Sequence, residues 1–171
     1  MEGGDALGLI AEVGIAIVGF AAVIAALRAP GGTLGLYAAF RVAAVLSMSA
    51  TVVLLALIPF AFHYAGLTNN TIWAVSSSVM AGVVFFVFIL AIPFLFIRHA
   101  QPAMEDRPAG SRWVKPFAFT YMGAITVLQL ANGVSLQMFW PFYAGLLFLT
   151  AYSLFQFGWT LLAPARNEIQ P

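Results

Sequence analysis

No cysteine occurs in the 171 residues. Disulfides, thiolate metal sites and cysteine nucleophiles are thereby excluded. Charge is scarce as well. Only 8% of the residues are Asp, Glu, Lys or Arg, against roughly a quarter in a soluble domain. Seven bases oppose six acids for a formal net charge of +1, with no basic stripe or recognition motif to engage nucleic acid. No HExxH, GxSxG or phosphate-loop motif is present, and no Ser, His and Asp fall at one depth, so the chain reads as neither an enzyme nor a cofactor carrier. The two histidines, His63 and His99, stand too far apart to make a metal site.

What fills the sequence instead is hydrocarbon. Hydrophobic residues make up 63% of the chain, with 15 Gly and 16 Phe. So small a charged fraction cannot coat a globule, so the solvent is expected to be lipid. Gly suits close helix packing in a bilayer and Phe suits lipid contact. The opening "MEGGDALGLI" has two acids and no base, and the apolar run behind it is too long for a signal peptide. It is expected to remain as a spanning helix.

A spanning helix needs about 20 mostly apolar residues. Five stretches qualify: about 6–27, 36–62, 72–97, 114–131 and 140–162. The predicted fold is an all-α, single-domain membrane bundle of five transmembrane helices, spanning 1–171. Asn132-Gly133 marks a turn between the last two helices, and Pro141 suits the first turn of a new one. Charge asymmetry sets the orientation. With the amino terminus outside and the carboxyl terminus inside, Arg28, Arg98, Arg107, Arg112 and Arg166 fall in inner segments. Arg41 and Lys115 lie within snorkelling reach of the same side. The outer segments 1–5, 63–71 and 132–139 contain no Lys or Arg. Trp73 and Trp140 fall at outer helix ends, and Trp113 and Trp159 at inner ones, where aromatic belts are expected. Trp140 and Trp159 are 19 residues apart, about 28 Å of helix against a core of roughly 30 Å. The polar linker 98–113 reads as a flexible connection carrying topology-setting charge, or as a docking site for a soluble partner. The sequon Asn69-Asn70-Thr71 is discounted in an Ala-rich chain of prokaryotic character.

Within this apolar setting Glu12 stands out, in the run "AEVGIAIVGF". It lies about six residues, or roughly 9 Å, inside the outer end of the first helix. At the same depth the other helices carry Ser76, Ser77, Ser78, Gln129, Asn132 and Tyr143, with His63 and Tyr64 at the rim. Gly8, Ala16, Gly19 and Ala26 share a stripe with Glu12. Small residues let helix backbones approach closely, so the stripe is expected to be a packing seam, in the bundle or against a neighbouring subunit. An intramembrane carboxylate is a functional candidate by default. Glu12, Ser76, Ser78, Gln129 and His63 therefore form the candidate ion or proton site. The structural alternative makes Glu12 a glue residue bonded to Ser76 or Gln129. Pro59 and Pro93 lie inside helices, where each frees a carbonyl and kinks the axis.

Residues Ala11, Glu12, Gly19, Phe20, Ile24, Ala26, Leu27 and Arg28 form an "AE…GF…I…ALR" pattern. In this the first helix resembles small uncharacterised bacterial multi-pass membrane proteins, and the likeness extends through Arg41 and Pro59. The resemblance implies a bacterial membrane protein and carries no activity or binding residues; the expected location is the bacterial cytoplasmic membrane. Two functions are expected from the residues themselves. One is a homo-oligomeric channel or proton/ion-conducting protein with Glu12 in its outer polar layer. The other is a non-conducting accessory or assembly subunit of a larger membrane complex. The partners in either case are the lipid bilayer and other membrane subunits, with an ion or proton in the first.

Overall fold

The structure, a computed structural model, describes residues 3–27, 36–91 and 111–162, with side chains described for 3–27, 42–90 and 118–159. Every described element is helical, and the described residues contain five α-helices. They are α1 (Gly4–Leu27), α2 (Leu36–Tyr64), α3 (Asn69–Val83), α4 (Ser111–Ala131) and α5 (Phe139–Leu162). The boundaries lie within three residues of those expected, except that only part of the third span is described. Pro93, His99 and linker residues 98–110 lie outside the described residues.

Two π-helical segments were not legible in the sequence. Helix α3 runs on into Val84–Ala91, and α4 runs on into Asn132–Leu136. Asn132-Gly133 is therefore not the turn itself. The chain reverses further on, at Gln137, whose φ of 51° is left-handed. Gly133 has a different task. A Cβ there would lie 2.6 Å from Ser78 Oγ and 3.2 Å from the Ala74 carbonyl oxygen, so the glycine lets α4 close onto α3. Between α2 and α3 the turn is a Schellman motif. Gly66 adopts φ 82°, its N–H donates to the His63 carbonyl, and Leu67 N–H donates to that of Phe62.

Side-chain contacts fix the topology. Gly14 of α1 meets Val53 and Ser49 of α2, while Gly4 meets Phe60, so these helices are antiparallel. Ser77 of α3 meets Asn132 at the end of α4, and Gln129 meets Pro141 at the start of α5. Trp73, near the start of α3, packs on Phe139 and Phe142 near the start of α5, with ring centroids 5.2 and 5.9 Å apart. One end of the bundle, the Trp73 end, thus holds the starts of α1, α3 and α5 and the ends of α2 and α4. The core runs through all five helices, with Leu7, Leu55, Ile72, Met80, Phe142 and Leu149 almost wholly enclosed. Trp73 itself is 2% exposed, so it is a core residue and not a belt anchor. Trp140 and Trp159 do point outward, at 65% and 41% exposed.

Among the described residues, three segments are long and apolar enough to cross a membrane: Gly4–Leu27, Val42–Tyr64 and Asn69–Leu90. Helix α5 carries Tyr143, Thr150, Tyr152, Ser153 and Gln156 along its length. Two of those, Thr150 and Ser153, are turned inward and buried. Helix α2 continues through the buried Pro59 as helix.

Candidate functional site

Residues grouped at one depth by the sequence separate into two sites at the Trp73 end. The first lies on the outside of the α1–α2 pair. Helix α1 buries Leu7, Ile10, Ala11, Gly14, Ile17 and Ala21. Glu12 belongs to the other face and is exposed, as are Ala16, Gly19 and Ala26. A Cβ added to Gly8 or Gly19 would meet nothing within 4 Å. The expected small-residue seam is therefore not a contact within the bundle. The glycine that lets α1 approach α2 is Gly14, where a Cβ would lie 2.7 Å from Val53 Cγ2 and 3.3 Å from the Ser49 carbonyl oxygen. The sequence reading missed it, although "VGI" gave a glycine within the run.

Glu12 lines a cleft of about 630 Å³ between α1 and the end of α2. Its walls are Gly4, Asp5, Gly8, Leu9 and Glu12 on one side and Phe60, His63 and Tyr64 on the other. Asp5, Gly8 and Glu12 stack along one face at helical spacing, and Gly4 and Gly8 contribute no side chain to fill the space. The cleft brings His63 and Glu12 to one place, as the sequence reading allowed. Asp5 was not singled out there, though its place seven residues before Glu12 put it on the same face. The side chains of Asp5, Glu12 and His63 make no hydrogen bond or ion pair with another described residue. No group of three or more such side chains among the described residues is placed to hold a metal ion.

No family model, curated protein or solved structure matches this chain.

The second site is sealed. Ser76, Ser77, Gln129 and Asn132 are all fully buried, between α3, α4 and α5. The Asn132 side chain makes three hydrogen bonds: Nδ2 donates to Ser77 Oγ at 2.7 Å and to the Met138 carbonyl at 2.9 Å, and Oδ1 accepts from Met138 N–H at 3.0 Å. Gln129 Nε2 donates to the Pro141 carbonyl at 2.8 Å. Together these hold the α4–α5 corner and tie it to α3. Ser78 stays outside this group. It is exposed and donates back to the Ala74 carbonyl of its own helix. Glu12 is bonded to neither Ser76 nor Gln129, so the structural role expected for it, as glue between these helices, is not realised in the protomer. A third buried polar contact, Ser49 with Ser153 at 2.5 Å, joins α2 to α5.

Proposed function

We propose that this is a bacterial cytoplasmic-membrane protein, with the Trp73 end outward, that assembles through the free face of α1 into a homo-oligomer. In it Glu12 binds and conducts protons or small cations. The observation that carries this reading is the position of Glu12: a carboxylate with no partner among the described residues of its own protomer, on an outward face of small residues, opening into the α1–α2 cleft. An unpaired charge facing lipid is costly. A neighbouring α1 seated on Gly8, Ala16, Gly19 and Ala26 would remove Glu12 from lipid and repeat it around a symmetry axis. A ring of carboxylates is a recurring means of selecting cations. Among the protomer's buried polar side chains, Ser49 and Ser153 bond to each other, as do Ser77 and Asn132, while Thr126, Gln129 and Thr150 bond to backbone carbonyls, which favours conduction between protomers over conduction through one.

Flux into liposomes as a function of pH, for the wild type and Glu12→Gln, tests the proposal. The amide keeps the shape and removes the titratable charge. Flux is expected in the wild type, with its pH or cation dependence lost in the variant. Wild-type vesicles that conduct nothing would refute conduction.

The second reading, a non-conducting subunit of a larger complex, draws on the same outward stripe, since a different helix could seat there. Mass in detergent separates the two. A discrete homo-oligomer fits the first, and a monomer or a co-purifying complex fits the second.

A further inference from the structure

Two polar atoms in the sealed site have no partner among the described residues: Ser76 Oγ and Gln129 Oε1. Both residues are fully buried. The serine is an exception to the pattern of its neighbours. Thr51, Ser78, Thr126 and Thr150 all fold their hydroxyls back onto a carbonyl four residues earlier. The buried Ser49 and Ser77 bond across helices, to Ser153 and Asn132. Ser76 does neither. Gln129 is half satisfied, its nitrogen held by Pro141 and its oxygen left over.

Gln129 reaches α3 one turn from Ser76. A Cβ at Gly145 would collide with Gln129 Nε2 and lie 2.9 Å from Met80 Sδ, so Gln129, Met80 and Gly145 meet at one point. Met80 is one helical turn beyond Ser76, on the same face of α3. Because it has no side chain, Gly145 lets the amide of Gln129 enter between α3 and α5.

We propose that α3, α4 and α5 enclose one structural water molecule, which donates a hydrogen bond to Gln129 Oε1 and shares another with Ser76 Oγ. An amide oxygen only accepts, so its partner must be a donor, whereas a serine hydroxyl can donate or accept. Water suits both atoms. A metal cation does not, because hard cations draw on about six or more oxygens, commonly with carboxylates among them. The described acids, Asp5 and Glu12, stand in the other cleft. Buried waters bridge such otherwise unpaired groups, making about three hydrogen bonds each. This one completes the α3–α4–α5 corner begun by Asn132. The inference is independent of conduction by Glu12.

An experimental structure of the full chain, at a resolution that shows ordered water, is the direct test. A peak within about 2.7–3.2 Å of both oxygens is expected. Direct contact between Ser76 Oγ and Gln129 Oε1, or a dry void between them, overturns the proposal. Melting in detergent gives a second readout. Ser76→Ala is expected to lower the melting temperature by about 2–4 °C in the wild type and to have almost no effect in a Gln129→Met background. If Ser76→Ala leaves the wild type unchanged or more stable, the hydroxyl holds nothing and the water site is refuted.

Discussion

The Asn132 carboxamide donates to Ser77 Oγ at 2.7 Å while also clasping both the carbonyl and the N–H of Met138. One side chain thereby closes the α4–α5 turn and ties it to α3. The residue stands where α4 opens into its π-helical extension, and Gln137 beyond it takes the left-handed conformation that reverses the chain.

Asn132→Leu is expected to be among the most damaging single changes. It removes three hydrogen bonds of about 1 kcal/mol each and strands the Met138 backbone groups, for a total of roughly 2–4 kcal/mol. Unfolding in mixed micelles measures the loss. An unchanged midpoint would mean that the corner is held by apolar packing alone.

Gly14 and Gly19 are expected to differ sharply. Gly14→Ala places a methyl 2.7 Å from Val53 Cγ2, on a β-branched side chain with little freedom to rotate. Helices α1 and α2 must move apart, at a cost of about 1–3 kcal/mol. Gly19→Leu meets open space in the protomer, so the fold should survive. If α1 is the subunit interface, only the mass of the assembly in detergent falls. A Gly19→Leu protein that fails to fold would contradict the observed burial of α1.

Ser49 and Ser153 are expected to be coupled. Either change to Ala leaves the other hydroxyl buried without a mate, costing about 1–2 kcal/mol. The double variant should cost less than the sum of the two singles. Simple additivity would show that the contact contributes nothing of its own.

Membrane orientation can be tested with single cysteines at Asn69 and Gln170, because the chain has none of its own. Opposite accessibility to a membrane-impermeant reagent is expected. Labelling of both positions from one side would exclude five spans.

The apolar runs and their interruptions were sufficient to place the helices. Long stretches without charge have few alternatives to helix, and Pro141 and the polar breaks delimit them. Depth along the axis was legible too, since rise per residue is constant: Ser77 and Asn132, chosen only for their level, do meet. Azimuth was not. Nearly every residue of α1 is apolar or small, so its sequence has no polar face to point away from the core. The stripe through Gly8 and Gly19 looked as good a seam as the one through Gly14. Tertiary packing chose Gly14, because the Val53 side chain and the Ser49 carbonyl of α2 fit there. That choice turned Glu12 outward into the cleft with His63, while Ser76 and Gln129 were enclosed between α3, α4 and α5. A helix in an apolar solvent gains little from hiding one apolar face rather than another, so shape and hydrogen bonding decide its rotation, and only the folded bundle specifies those.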